Sequence, residues 1–147
     1  MKIRRSTRKD IRGMLAVAGR LTDWPQPLAT ELGYEHGFVA MAGNRMIGFV
    51  SVTHEEGLPV ITYLRVDPAR TRQGAGTKLV AAVLDEAKSL GAARVRVQAI
   101  GWTRPFNRMY AETLKFYEAQ GFRVVKKHPV VVEEADRWRL YTLEKAL

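Results

Sequence analysis

The residues with the clearest chemical potential lie between Val66 and Val80, in "VDPARTRQGAGTKLV". An apolar, strand-like run turns at Pro68, gathers Arg70, Arg72 and Gln73, thins to Gly74-Ala75-Gly76, and enters an apolar-periodic segment. A strand, then glycines, then a helix is a recipe for holding an anion. The first turn of a helix leaves backbone N–H groups unpaired, its dipole adds partial positive charge, and glycine admits close approach. Arg70, Arg72 and Lys78 add formal charge, and a pyrophosphate fits such a loop. Two rival phosphate motifs are not met. The order Gly76-Thr77-Lys78 is not the Gly-Lys-Ser/Thr of a P-loop, and Leu79 stands where a dinucleotide fingerprint needs its third glycine. A turn that holds no ligand also satisfies these residues.

Other chemistry-bearing groups are sparser. There is no cysteine, which excludes disulfides, thiolate metal sites and a cysteine nucleophile. His36, His54 and His128 show no metal-ligand spacing, so no metal is expected, and no Ser/His/Asp arrangement is legible. Acidic islands interrupt a basic chain at Glu55 and Glu56, and again at Glu133, Glu134 and Asp136. They suit the attraction of a cationic amine, and equally a solvated turn. Met109, Thr113, Phe116 and Tyr117 share one face of a helical pattern, which by itself reads as core.

The elements that would position these groups follow from periodicity and punctuation. "MKIRRST" alternates as a first strand. Ile11, Met14, Leu15 and Ala18 recur at helical spacing behind Thr7 and Asp10, an Asp variant of the capping box. "TDWPQPLATEL" reads as a loop and then a short helix from about residue 27. "GFVAMAG", "RMIGFVSVTH" and "PVITYLRV" are strands, the first two joined by a tight turn at "AGNR". A helix runs from Gly74 to Leu90 with Leu79, Val80, Val83, Leu84 and Ala87 on its apolar stripe, stopped by Gly91. "ARVRVQAI" is a strand, "NRMYAETLKFYEAQ" a helix stopped by Gly121, and "FRVVKK" and "RWRLYTLEK" are strands separated by an irregular or partly extended "HPVVVEEAD". The expected fold is mixed α/β, a mostly antiparallel sheet of about six or seven strands. It has helices on both faces and one parallel strand–helix–strand unit around residues 60 to 99.

At 147 residues the chain is expected to form one domain, residues 1–147. No apolar run reaches the length of a membrane span, and the charged N-terminus lacks the apolar stretch of a secretory signal. A cytoplasmic protein with no membrane partner is expected. A net charge of +9 favours anionic partners: a phosphorylated cofactor, an acidic surface or nucleic acid. A nucleic-acid module is the rival from another class, but no recognition motif for one is legible.

"YLRVDPARTRQGAGTKLVAAVLDEAKSLGAARVRV" resembles the acetyl-CoA-binding core of the GNAT superfamily of N-acetyltransferases. "LKFYEAQGF" resembles that family's second hallmark, and "KIRRSTRKDIRGML" its first strand and helix. The likeness covers nearly the whole chain in order. It implies acetyl-CoA as co-substrate, no metal, and a primary amine, small molecule or peptide, as acceptor, with direct transfer in a ternary complex. A homodimer is compatible with it. So is a CoA-binding protein with another acyl donor or no catalysis. It implies that backbone amides from Arg72 through Gln73, Gly74, Ala75 and Gly76 to Thr77 cradle the CoA pyrophosphate, with Thr71 and Lys78 alongside. Main-chain groups of Leu64, Arg65 and Val66 would pair with the pantetheine arm, and an N–H at Leu64 or Val66 would polarise the thioester carbonyl. Tyr117 would protonate the leaving thiolate. Trp24, with Glu55, Glu56 and Glu133, would face the acceptor, and Trp102 is a second aromatic wall. Three positions depart from the pattern. Thr71 stands where relatives carry Arg or Gln. Tyr110 stands where they carry an Asn that touches the pantetheine, with Asn107 one turn away as a substitute. Thr62 stands where many carry a glutamate base.

Overall fold

The computed structural model describes residues 1–19, 36–104, 108–134 and 136–147. The predicted helix from about residue 27 lies outside them. The described elements run β1 (Lys2–Arg5), α1 (Ile11–Gly19), β2 (Phe38–Ala42), β3 (Arg45–Glu55), β4 (Leu58–Val66), α2 (Ala75–Ser89), β5 (Arg94–Arg104), α3 (Arg108–Ala119), β6 (Arg123–Lys127), β7 (Val131–Glu133) and β8 (Asp136–Ala146). They form an eight-stranded sheet in the order β1-β2-β3-β4-β5-β8-β6, with β7 also pairing β8. Among the described residues β4 and β5 are the only parallel neighbours; every other pair is antiparallel. The expected mixed sheet is present, with one strand more than expected. "VVE" in the connection read as irregular or partly extended pairs with β8 from Val131↔Trp138 to Glu133↔Asp136. Three residues are too few to show a period of two, so the strand exists through its partner rather than its own pattern.

Two apolar clusters sandwich the sheet. On one face Met14, Val17 and Ala18 of α1 pack on Val39 and Phe49, with Tyr63 at the margin. On the other, Leu79, Val80, Val83 and Ala87 of α2 and Tyr117 of α3 pack on Val50, Val52, Ile61, Val95, Val97 and Ala99. Central β3 is buried without a break from Ile47 to Val52, which is why its sequence reads as a nearly continuous apolar run. The sequence's stops hold. Gly91 takes φ 78° after α2, and the Ala92 N–H returns to the Ala87 carbonyl at 2.9 Å. At the front of α1, the Thr7 N–H donates to Asp10 Oδ2 at 2.7 Å. Asp10 also receives both Arg4 nitrogens at 2.9 Å, tying β1 to α1.

Candidate active site

The site begins with a fault in the sheet. Parallel pairing of β4 with β5 is recorded at Val60↔Arg96 and Ile61↔Val97 only, although β4 continues to Val66 and β5 to Arg104. The divergence starts at a bulge. Ser51 pairs with Tyr63 and Val52 with Ile61, so Thr62 is the extra residue. Its Oγ1 donates to the Ser51 carbonyl at 3.2 Å. A bulge bends its strand and sharpens its twist. From Tyr63 to Val66, β4 is therefore paired with β3 on one side and, among the described residues, with no strand on the other. An open edge of that kind takes an extended ligand as an added strand.

The glycine-bearing loop continues directly from this edge. Asp67, 3% exposed, anchors the turn. Its N–H donates to the Ile47 carbonyl at 2.8 Å, while its carboxylate accepts from the Ala69 N–H at 3.1 Å and from Arg45 at 3.2 Å. Pro68–Gln73 form a short 3-10 turn. Gly74 then enters the left-handed region at φ 79°, ψ 12°, a conformation that costs any side chain strain, and α2 begins. The Lys78 N–H reaches the Gly74 carbonyl at 3.1 Å. By helix geometry the N–H groups of Ala75, Gly76 and Thr77 precede the first intrahelical bond, and they sit at the positive end of the α2 dipole. Thr71, Gln73, Thr77 and Lys78 are exposed and Arg70 half-buried around this end. The Thr71 hydroxyl turns back to the Pro68 carbonyl at 3.5 Å. Gly76 has a packing role besides: a Cβ there would stand 3.4 Å from the Phe116 ring, so α2 and α3 meet closely at this point. Arg72 belongs to the turn, and its side chain is not described.

Tyr117 approaches from α3. It is 4% exposed and packs edge-on between Phe116, at 5.2 Å and 76°, and Phe122, at 5.5 Å and 71°. Burial pushes its phenol well above the ordinary tyrosine range, and the positive charge of Arg65 pulls the other way. Leu64 and Val66 pack against the same apolar cluster, which brings Tyr117, Leu64, Val66 and the α2 N-terminus onto one side of the open edge. Arg65 stands within it, 7% exposed, its Nη1 donating to the Leu64 carbonyl at 3.1 Å. Sequence reasoning named Arg65 for its backbone alone. The signal it passed over was a cation in an otherwise apolar strand. Asp67 was passed over altogether.

The remaining predicted residues divide. Glu133 lies exposed at the β7–β8 turn, at the end of the sheet where β5 finishes. Glu55 and Glu56 lie exposed in the β3–β4 turn, with Glu56 at φ 53°. That turn precedes β4, whereas Leu64 is near its far end, roughly 20 Å away at the rise of a strand. The structure does not bring these two carboxylates to the open edge. Trp24 and Asn107 lie outside the described residues, and Tyr110 is in the first turn of α3 with its side chain not described. A cavity of about 290 Å³ lies apart from the open edge, at the C-terminal end of α2 and beside the β3–β4 turn that carries Glu55 and Glu56, lined by His36, Phe38, His54, Gly57, Val83 and Glu86 among others. No group of three or more His, Asp or Glu among the described residues is placed to hold a metal ion. No described helix is long and apolar enough to cross a membrane.

Comparison with known proteins agrees with this geometry. Residues 33–124 match the family model for the acetyltransferase (GNAT) domain. The chain belongs to the GNAT acetyltransferase family. Solved structures share the fold. Ard1 from Thermoplasma volcanium is 23% identical with a TM-score of 0.78, covering 99% of this chain and 97% of that one. The ribosomal-protein-S18-alanine N-acetyltransferase from Escherichia coli is 16% identical with a TM-score of 0.77, covering 99% and 94%. The PaiA N-acetyltransferase from Thermoplasma acidophilum, solved in complex with coenzyme A, is 16% identical with a TM-score of 0.71, covering 99% and 98%. Among curated proteins no sequence match was found.

Proposed function

We propose that this chain is an N-acetyltransferase that moves an acetyl group from acetyl-CoA to a primary amine by direct attack in a ternary complex. The observation that carries the reading is the continuity of the open β4 edge, Tyr63 to Val66, with the left-handed Gly74 and the α2 N-terminus. An extended arm ending in a pyrophosphate needs those two features in that order. Family membership supports the reading, as does the neighbour solved with coenzyme A bound.

Acetyl-CoA supplies an activated acyl carbon and a thiol leaving group. The chain's own residues do the rest. Main-chain groups of Leu64 and Val66 hold the arm, and one of their N–H groups donates to the thioester oxygen as charge develops there. Amides of residues 72 to 77 face the pyrophosphate, with the dipole of α2 behind them. Lys78 and Arg70 add charge at the rim. As the amine nitrogen bonds the acyl carbon, the carbon–sulfur bond breaks and sulfur leaves with its electron pair. Tyr117 keeps a proton on its Oη for that sulfur, and its raised pKa keeps the phenol in the acid form across the working range. The amine's proton leaves to water, because Thr62 offers no carboxylate.

The tight packing of Tyr117 between two rings favours a second reading in which it is core alone and the thiolate leaves unassisted. Replacement of its hydroxyl separates the two, because only the acid role makes turnover depend on it. The test of the main reading is binding. Coenzyme A should stabilise the protein saturably, by about 2.7 kcal/mol at a hundredfold excess over its Kd. Absence of any shift at millimolar coenzyme A would remove the proposal.

A further inference from the structure

The outer half of the sheet carries one face of unbalanced charge. Val95, Val97 and Leu143 belong to the α2-side core, so the alternate residues Arg94, Arg96, Gln98, Thr142 and Glu144 lie on the opposite, α1 side. Register carries this face on to β6. Arg96, Glu144 and Arg123 stand opposite one another across β5, β8 and β6, and Gln98, Thr142 and Lys126 form the next row. Glu144 is committed to β5: Arg94 Nε lies 3.3 Å from one of its oxygens and Arg96 Nη2 2.8 Å from the other. Arg123 and Lys126 are exposed and form no ion pair among the described residues. Four cations thus face one carboxylate. Helix α1, on the same side of the sheet, packs over Val39 and Phe49 of β2 and β3. Glu133 is at the other end of β8, roughly 20 Å from the Lys126 row at the rise of a strand.

This face adjoins the gap between β4 and β5. Ala75 at the start of α2 and Tyr117 both belong to the α2-side cluster. A cofactor held there reaches the gap from that side and leaves the α1 side to the acceptor. Pairing of β4 with β5 is recorded no further than Ile61↔Val97, so Gln98 borders the gap, at the head of the row that ends at Lys126. From the middle of the gap to β6 is about 10–15 Å at the spacing of strands, roughly three to five residues of extended chain. A chain whose amine enters the gap and which then crosses β5 and β8 meets Arg123 and Lys126 at that distance. Their charge favours acidic side chains there and disfavours basic ones. A nucleic acid fits less well. Neither row holds an aromatic side chain on which a base could stack, and a nucleic acid offers the gap no aliphatic amine.

We propose that the acceptor is a polypeptide amine followed, about three to five residues on, by acidic side chains, and that Arg123 and Lys126 determine this specificity. The inference rests on the acetyltransferase reading and names its acceptor. The test measures kcat/KM at saturating acetyl-CoA for three matched heptapeptides with free N-termini, with acetylated peptide read by mass. They are alike except for Glu, Gln or Lys at the fourth to sixth positions. The Glu peptide should exceed the Gln peptide by roughly 5- to 50-fold at low salt, the combined effect of a few exposed charge pairs. The Lys peptide should fall below both, and the differences should narrow at high salt, where exposed charges are screened. Reversal of both charges, Arg123→Glu with Lys126→Glu, should invert the order in favour of the Lys peptide. A thermal melt checks that this variant folds; should it not, the wild-type order and its salt dependence decide alone. Equal use of the Glu and Gln peptides at low salt, an order that survives the reversal, or transfer to small amines but to no peptide overturns the proposal and leaves the acetyltransferase reading standing. So does equal peptide use together with salt-sensitive retention of single-stranded RNA, which would reassign the face to nucleic acid. No stabilisation by coenzyme A and no transfer to any amine overturns both.

Discussion

Tyr117→Phe removes one oxygen from a position whose packing is otherwise unchanged. The ring sits between Phe116 and Phe122 at centroid distances of 5.2 and 5.5 Å, and Phe preserves both contacts. Among the described residues the hydroxyl makes no hydrogen bond, so its removal should change stability by no more than about 1 kcal/mol. The chemical step should suffer far more. Loss of a positioned general acid costs about 10²- to 10⁴-fold, or roughly 3–5 kcal/mol of barrier. Coenzyme A affinity should stay within about threefold, since the proposed binding mode holds the arm and the pyrophosphate by main chain. The sign of the pH dependence follows from the shift. A buried phenol with a raised pKa stays protonated longer, so wild-type kcat should show no alkaline fall from this group through the range where an unperturbed tyrosine ionises. The assay is single-turnover acetyl transfer from pH 6 to pH 10 on both proteins, alongside thermal melts with and without coenzyme A. A variant within threefold of wild-type kcat would refute the acid role and leave Tyr117 as core. An alkaline fall on approach to pH 10, the ordinary tyrosine range, that disappears in the variant would refute the burial argument.

Three further outcomes concern the loop, its anchor and the β1–α1 junction. Asp67→Ala removes the acceptor for the Ala69 N–H and the partner of Arg45, and should cost about 1–2 kcal/mol in denaturant melts while weakening coenzyme A binding. Gly74→Ala meets no atom within 4 Å but must hold φ 79°. Calorimetry should show a loss of about 1–2 kcal/mol from strain alone, with a weaker Kd for coenzyme A. Asp10→Asn removes the carboxylate charge and one of the two oxygens that accept from Arg4. The bonds from Arg4 hold the Asp10 carboxyl below its ordinary value near 3.8, so the stabilisation is present above that pH and is lost as pH falls through the folded-state value. With Arg4 partly exposed, the variant should lose about 1–2 kcal/mol at pH 7. The gap from wild type should close in melts taken at progressively lower pH.

Much of the positioning frame was legible because its signals are local. Gly91 and Gly121 stop helices by their own backbone freedom, Gly74 marks the start of α2, and Ile11 through Ala18 declare a helix face by spacing. What was not legible depends on pairing between distant segments. β7 exists only because β8 lies beside it. The opening of β4 depends on where β5 stops following it, which no residue in "PVITYLRV" announces; Thr62 was noticed for the acid it lacks, not for the bulge it makes. Glu55 and Glu56 were placed near the chemistry because they adjoin the active strand in sequence, but a strand has two ends and they sit at the other one. Arg65 was visible as a backbone contributor, while its side chain's reach over Tyr63 to the Leu64 carbonyl required the fold.

The most direct measurement is mass analysis of the products formed when the protein is incubated with isotope-labelled acetyl-CoA and a panel of primary amines. The account predicts one labelled acetyl group on the amine nitrogen, with free thiol in equal amount and no labelled acyl-protein. Stoichiometric label on the protein itself, or thiol release without acetylated amine, would contradict direct transfer to an amine acceptor.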